Sequence, residues 1–163
     1  MALRNIRTND DPCLAKVCRP VTAFDNKLSD LLDDMLDTMY DAEGVGLAAP
    51  QIGILRRIAV IDTGDGPVEM INPVITKREG VQGDMEGCLS FPNRSGYVER
   101  AEYVVCEAYD RNGDLYEYEA EGLFARAIQH ELDHLDGLNY LRLVTDPPEG
   151  FESERYVEED SEE

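Results

Sequence analysis

The chain has 163 residues, of which 15 are basic, 35 are acidic and 2 are histidine, giving a formal net charge of −20. This length predicts one domain with a substantial hydrophobic core, and the charge argues against nucleic acid or an anionic membrane surface as a partner. No stretch is long and apolar enough to span a membrane, and residues 1–11 lack the apolar segment of a signal peptide. We therefore expect a cytoplasmic protein.

The first predicted helix follows an extended arm, residues 1–24, whose two prolines mark turns. Apolar side chains then recur at helical spacing over residues 28–40, with acidic residues on the opposite face. This pattern predicts an N-terminal amphipathic helix that starts near Asp25 and is stopped by Gly44 or Gly46. The helix has a packing role and carries no candidate catalytic residue.

Residues 44–53 contain three glycines, two alanines and one proline, so this segment has little side-chain bulk. Such a segment suits a place where a ligand or a second backbone approaches closely, although a plain connecting loop has the same composition. The glycine spacing and the lack of a following lysine exclude a phosphate-binding loop. Gln51 is the one functional side chain here, a neutral donor suited to a developing oxyanion.

Most of the chain between this segment and the second helix is predicted as short β-strands separated by glycine and proline. An Asn-Gly pair at positions 112 and 113 is a hairpin signal, so the strand after it is expected to return antiparallel to the strand before it. The predicted strands are residues 57–62, 69–72, 74–78, 97–100, 103–109 and 115–120.

The histidines of the chain, His130 and His134, lie four residues apart with Glu131 between them, on a predicted helix over residues 123–135 that Gly137 ends. On one helix face both imidazoles can reach one ion, while Glu131 can handle the protons of a water molecule beside it. The alternative is a pair of solvated histidines that fall in this order by chance. The chain has no histidine elsewhere, and we therefore predict a hydrolytic metal centre.

The third ligand of such a centre must come from another segment and be a cysteine or a carboxylate, because a catalytic site needs three protein ligands and one open position. Cys88 is the best candidate, since the preceding Gly87 permits unusual backbone geometry, although a buried structural thiol is the alternative. Cys13, Cys18 and Cys106 are interpreted as packing residues, because a cytosolic setting disfavours disulfides.

Three segments, residues 44–51, 86–90 and 129–134, resemble the three signature motifs of the peptide deformylases and occur in the same order. The resemblance reaches about residue 145. It implies an α+β fold for a single metallohydrolase domain, residues 1–145, with antiparallel β-sheets packed around a central H-E-x-x-H metal-binding helix. Residues 146–163 form an acidic C-terminal tail that lies outside the resemblance.

The resemblance also implies a metal centre and a base. Cys88, His130 and His134 would bind the metal, and water would take the fourth position. Glu131 would act first as general base and then as general acid. Members of the family typically use Fe²⁺ and often accept Ni²⁺, Co²⁺ or Zn²⁺, which suits a cysteine and histidine ligand set.

A second group of implied roles concerns the substrate. Gln51 and the backbone N–H of Leu89 would hold the oxyanion as water attacks a formyl carbon. The backbone of Val45, Gly46 and Gly87 would hold the peptide in a strand-like pose. The reaction would release formate from the N-formylmethionine end of nascent polypeptides. Because these substrates emerge from the ribosome, a transient association with the ribosome is a further expectation.

Helix geometry adds a prediction about the first side chain of the substrate. Leu123, Arg126 and Ala127 lie on the same helix face as His130, toward the N-terminus. We predict that Ala127 leaves room for that side chain, that Leu123 forms an apolar wall, and that Arg126 extends along the rim with its head in water. The alternative is that Ala127 and Leu123 only pack the helix on the sheet.

Two other functions would use the same residues. A zinc endopeptidase or aminopeptidase also carries an H-E-x-x-H helix, but its third ligand would normally be histidine or glutamate rather than cysteine. A metal-stabilised or ribosome-associated interaction module without turnover is the second alternative. Activity on an N-formylated methionyl dipeptide, with none on the unblocked dipeptide, would separate these functions from deformylation.

Overall fold

Two antiparallel sheets and two α-helices form the framework of the chain in a computed structural model that describes residues 2–152. This combination agrees with the α+β class predicted from the sequence. The helices are α1 (Asn26–Asp41) and α2 (Gly122–Leu135). The strands are β1 (Gly46–Ala48), β2 (Ile58–Ile61), β3 (Val68–Glu79), β4 (Gln82–Cys88), β5 (Phe91–Arg100), β6 (Tyr103–Tyr109), β7 (Leu115–Glu121) and β8 (Val144–Thr145).

Helix α1 begins after Asp25, whose side chain accepts a hydrogen bond at 3.1 Å from the N–H three residues later. It ends at Asp41, earlier than the predicted stop at Gly44 or Gly46, because Glu43 takes the left-handed position with a φ of 58°. The N–H groups of Glu43 and Gly44 then bond to carbonyls of the last helical turn. The face of α1 that enters the core carries four large apolar side chains, Leu28, Leu32, Met35 and Met39.

The larger sheet has the strand order β1-β2-β3-β6-β7, with antiparallel neighbours throughout. The runs predicted at residues 69–72 and 74–78 are one strand, β3. Its pairing with β6 shifts between Ile71 and Val74, where Pro73 has no N–H to donate. The hairpin predicted from the Asn-Gly pair joins β6 to β7. Strand β1 lies at one edge of this sheet.

The smaller sheet has the order β4-β5-β8. Strand β4 was not among the predicted strands, because glycines interrupt its sequence and leave no alternating apolar pattern. Gly83 in β4 gives room to Tyr97 of β5, since a methyl group at Gly83 would overlap the tyrosine ring. Strand β4 lies at the edge of its sheet, as β1 does in the other.

Helix α2 packs between the two sheets and contacts β1, β2, β6 and β7. Its apolar face contributes Ala125, Ile128 and Leu132 to a core cluster that includes Ile61 and Met70 of the larger sheet. The helix ends as predicted, with Gly137 just beyond it at a φ of 75°. Within residues 2–152 neither this helix nor any other has the length and hydropathy needed to cross a bilayer.

Candidate metal centre and substrate cleft

Three candidate metal ligands converge from two elements. His130 and His134 project from α2 one turn apart, and Cys88 is the last residue of β4. The Nε2 atoms of the two histidines lie 3.3 Å apart, and the Sγ atom of Cys88 lies 3.3 Å from Nε2 of His134. All three ligand atoms lie within 4.8 Å of one another. The structure therefore brings together the three residues that the sequence predicted as ligands.

The ring nitrogens are arranged as metal ligation requires. Nδ1 of His130 lies 2.6 Å from Oε2 of Glu86, a buried carboxylate that accepts a hydrogen bond from it and orients the ring with Nε2 toward His134. Burial lowers the pKa of His134 well below its ordinary value, and the neighbouring His130 lowers it further. Two nitrogens bound to a tetrahedral ion at about 2.0–2.1 Å lie roughly 3.3 Å apart, which is the separation found here. The donor set therefore fits a divalent transition metal.

Glu131 lies next to His130 on α2 and is not one of the three converging ligand candidates. Its side chain is buried, and its Oε1 atom has no hydrogen-bond partner among the described residues. Burial raises the pKa of Glu131 to about 7, against the lowering effect of His130. A carboxylate with this pKa can take and release a proton near neutral pH. An unpaired buried oxygen is costly, which indicates that a substrate or water partner completes its surroundings.

Gln51 directs its amide toward the candidate metal centre. Its Oε1 accepts a hydrogen bond from the Ala48 N–H at 2.9 Å, and this contact fixes which end of the amide faces the site. The Nε2 group donates to Oγ of Ser90 at 3.1 Å and lies 3.5 Å from Sγ of Cys88. An N–H donor beside the ligand cysteine is where negative charge on a reacting carbonyl would be stabilised.

A cleft of about 430 Å³ opens beside these residues. All the predicted site residues line it except His134, which is fully buried. The lining residues are Glu43, Gly44, Val45, Gly46, Gln51, Glu86, Gly87, Cys88, Leu89, Leu123, Arg126, Ala127, His130 and Glu131. Glu43 and Glu86 had no predicted role, and Gly44 was predicted only as a possible helix stop and as part of the low-bulk segment 44–53. Sequence reasoning thus located most of the cleft but missed part of its rim and floor.

Arg126 lies in a different environment from the one predicted. Its head was expected in water, but the residue is only 3% exposed. Nη1 donates to Oε1 of Glu86 at 2.8 Å, and Nη2 donates to the Val98 carbonyl at 3.0 Å. The physical reason is the buried Glu86 carboxylate, which attracts the guanidinium inward. The prediction that Arg126 borders the cleft is correct, and the prediction of a solvated head is wrong.

Glu86 is the functional candidate that sequence reasoning missed. Besides His130 and Arg126, it accepts two hydrogen bonds from Arg100, at 2.8 and 2.7 Å. Burial alone would raise the pKa of Glu86, but the hydrogen bonds from Arg100 and His130 hold it well below its ordinary value. The available signal was Arg100, which shares the inward face of a strand with Val98 and so required a buried acidic partner.

Sequence comparisons identify the family of proteins that this chain resembles. The family model described as polypeptide deformylase matches residues 3–148. A peptide deformylase of Caldicellulosiruptor bescii is 53% identical over 98% of this chain and 93% of its own length. A peptide deformylase of Agathobacter rectalis is 56% identical over 88% of this chain and 91% of its own length.

The solved structures that are similar to this fold include peptide deformylases as well. The crystal structure of peptide deformylase from Thermotoga maritima superposes with a TM-score of 0.88 at 41% identity, covering 90% of this chain and all of the other. A peptide deformylase from Synechococcus elongatus, solved in complex with actinonin, has a TM-score of 0.85 at 39% identity, with coverages of 88% and 79%.

Proposed function

The chain belongs to the peptide deformylase family, and from this premise we propose how its cleft carries out the reaction. The protein is a hydrolase of protein biosynthesis that removes the formyl group from the N-terminal methionine of new polypeptides. Its family is metal-dependent, and the chain holds a Cys/His site for a metal. The roles of individual side chains, the identity of the metal and the mode of peptide binding are our proposals.

We propose that Cys88, His130 and His134 hold Fe²⁺, and that Zn²⁺, Ni²⁺ or Co²⁺ can substitute for it. The support is the convergence of one thiol and two imidazole nitrogens within 4.8 Å. A thiolate suits the softer divalent metals, and imidazole binds iron, nickel, cobalt and zinc alike. When bound, such an ion polarises the formyl oxygen and makes water more acidic.

Glu131 is the proposed proton carrier. It accepts a proton from the attacking water at its carboxylate, and the oxygen of that water forms a bond to the formyl carbon. Glu131 then passes the proton to the methionine nitrogen as the C–N bond breaks. The products are formate and a free N-terminus, so one water molecule is consumed for each bond cleaved. A pKa of about 7 allows both transfers near neutral pH.

Gln51 and the backbone N–H of Leu89 are proposed to stabilise the oxyanion that forms during this attack. The support is the side-chain amide of Gln51, which is buried and points its N–H group toward Cys88. Leu89 directly follows Cys88 and lines the same cleft. Donors that are fixed before the reaction stabilise developing charge without reorganisation.

The peptide is proposed to lie between two sheet edges. Strands β1 and β4 are edge strands of different sheets, and they contribute Gly46 and Gly87 to the cleft, beside Val45, which precedes β1. An extended peptide can pair with such an edge through its backbone, independently of its sequence. The methionine side chain would then enter the space lined by Leu123 and Ala127.

The convergence of Cys88, His130 and His134, with Glu131 on the same helix lining the adjacent cleft, carries this proposal. We would purify the protein anaerobically, measure its metal content and assay formate release from formyl-Met-Ala, with unblocked Met-Ala as control. Stoichiometric Fe²⁺ and formate release from the formylated peptide alone are expected. Cleavage of the unblocked peptide would instead support an aminopeptidase.

Air exposure tests the identity of the metal separately. A thiolate-bound Fe²⁺ form should lose activity in air, while Ni²⁺ or Co²⁺ forms of the same preparation should keep it. A protein that is isolated with zinc and is equally active and stable in air would reject iron as the working metal.

The cellular setting remains a proposal drawn from the substrate. Nascent formylated chains place the protein in the cytoplasm, with at most transient contact with the ribosome. The net charge of −20 argues against binding to bare nucleic acid or to an anionic membrane. Sedimentation with translating ribosomes at low and moderate salt would measure the contact, and stable binding to free RNA would contradict this proposal.

A further inference from the structure

Glu86 uses its whole hydrogen-bonding capacity on three side chains. Its Oε1 atom accepts from Nε of Arg100 and from Nη1 of Arg126, both at 2.8 Å. Its Oε2 atom accepts from Nη2 of Arg100 at 2.7 Å and from Nδ1 of His130 at 2.6 Å. A carboxylate offers about four lone-pair positions, so each oxygen here is held from two directions.

Arg126 is the part of this arrangement that also borders the substrate cleft. It lies on α2 one turn before His130, so the two side chains project from the same helix face. Its second guanidinium nitrogen is held by the Val98 carbonyl at 3.0 Å. The guanidinium therefore has a fixed anchor on β5 and a fixed acceptor in Glu86.

We propose that Arg126 is a positioning residue for the metal centre: it holds Oε1 of Glu86 so that Oε2 stays aligned with Nδ1 of His130. This inference rests on the proposed metal site. Arg100 alone cannot supply the same constraint, because its fork binds both oxygens from one side and its third nitrogen bonds to Asp133 at 3.1 Å. If Arg126 is lost, Glu86 can tilt toward Arg100, and this movement draws Oε2 away from His130.

The test distinguishes two roles for Arg126: positioning Glu86 for the metal centre, or only forming part of the cleft wall. Arg126→Met keeps the length and apolar stem but removes the hydrogen bonds to Glu86, Val98 and Gln82, and Arg126→Lys keeps the charge with a single donor group. Leu123→Ala is the matched control for the wall, since Leu123 lines the cleft without reaching Glu86. Arg142→Met is the control for the charge network, because Arg142 pairs with Asp133 at 3.0 Å on the more exposed side of that network.

Two readouts besides activity are used. One is the affinity of the apoprotein for Co²⁺, measured by competition with a chelator, and the other is the visible absorption spectrum of the Co²⁺ form. Loss of a hydrogen bond that orients a metal ligand typically costs 10–100-fold in affinity. We expect Arg126→Met to weaken Co²⁺ binding by about that factor and to change the spectrum, with Arg126→Lys intermediate. Leu123→Ala and Arg142→Met should keep the wild-type affinity and spectrum.

Steady-state kinetics of the Co²⁺ forms completes the test. Arg126→Met should lower kcat at saturating metal, whereas Leu123→Ala should act mainly through KM. An Arg126→Met protein with wild-type Co²⁺ affinity and spectrum, altered only in KM, would overturn the proposal and leave Arg126 as a wall. If Arg126→Met does not fold, wild-type affinity in Arg126→Lys would overturn it equally. Failure of the wild-type protein to bind Co²⁺ would instead refute the metal site itself.

Discussion

Gly46 lies against the carboxylate of Glu131, so that a methyl group on its Cα would stand 2.9 Å from Cδ of that side chain and still closer to Oε2. The backbone of Gly46 is ordinary strand, so glycine is needed here for space and not for conformation. This contact lets β1 pass directly over α2, and it limits the directions in which Glu131 can point. The absence of a side chain at Gly46 thus couples strand β1, the proposed peptide-binding edge, to Glu131, the proposed base.

Gly46→Ala should therefore disable Glu131 without removing the metal. The added methyl group must displace either β1 or the carboxylate, because the clash is with the functional end of a buried side chain. A positioned general base contributes about 10²–10⁴-fold, and we expect kcat to fall by a substantial part of this factor. The measurement is formate release at saturating substrate, with metal content determined on the same sample.

Gly44→Ala is the comparison for this variant. A methyl group at Gly44 would meet Cδ1 of Leu89 at 2.7 Å, and that atom is the far end of a flexible apolar side chain that can rotate away. Its effect on kcat should be clearly smaller. Equal losses in the two variants would show that any bulk in this segment is harmful, and the specific contact with Glu131 would then not explain the requirement for glycine.

Cys88→Ala should remove stoichiometric metal from a protein that remains folded. Loss of one of three ligands is expected to cost several kcal/mol of ion affinity, on the scale of metal binding to cysteine and histidine sites. Metal analysis after dialysis against a weak chelator measures the loss, and circular dichroism checks the fold. Cys13→Ala is the control, because Cys13 is a half-buried thiol that donates a hydrogen bond to the Pro50 carbonyl, at 3.3 Å, and is not among the candidate ligands. A full metal complement in Cys88→Ala would rule out Cys88 as the third ligand.

Glu131→Gln tests the role of Glu131 as a base separately from the binding of the metal. The metal should stay, because the three ligand atoms are unchanged, while the amide cannot accept the proton of the attacking water. We expect kcat to fall by at least about 10²-fold with little change in KM. Single-turnover formate release by the metal-loaded variant is the deciding measurement, and turnover near that of the wild type would refute the role of Glu131.

The convergence of the candidate ligands was partly predictable from sequence, because two of the three lie one helical turn apart. His130 and His134 meet through helix periodicity alone, and Glu131 falls between them on the same turn. Cys88 required elimination among residue types and then the family resemblance, because nothing near it in sequence indicates which segment faces the helix.

The environment of Arg126 depends on a partner 40 residues away and could not be predicted in this way. On an isolated helix, an arginine at this position is expected to lay its stem along the apolar surface and keep its charged head in water. The buried carboxylate of Glu86 draws the guanidinium inward instead, and Glu86 is itself paired with Arg100 on the neighbouring strand. Helix α1 gives a smaller example, since Glu43 supplies the left-handed residue that a glycine was expected to supply.

The last prediction concerns the preference for methionine. Ala127 is 4% exposed and lines the cleft beside His130, so it borders the space next to the reacting carbon. Ala127→Leu should fill this space and lower kcat/KM for formyl-Met peptides far more than for formyl-Ala peptides. Changes of methylene size in such a pocket are worth about 1–3 kcal/mol, so the preference ratio should fall by about tenfold or more. Metal content and thermal unfolding are measured on the same protein.

Ala125→Leu is the control that isolates the pocket from the core. Ala125 lies on the same helix but is fully buried in the cluster with Ile61 and Ile128 and does not line the cleft. Overpacking there should reduce the free energy of unfolding by about 1–3 kcal/mol and leave the ratio of formyl-Met to formyl-Ala activity unchanged. Ala127 also belongs to that cluster, so loss of stability alone proves nothing about the pocket. A folded, metal-loaded Ala127→Leu protein with an unchanged ratio would place the methionine pocket elsewhere, because a leucine at this position could not then be in contact with the substrate side chain.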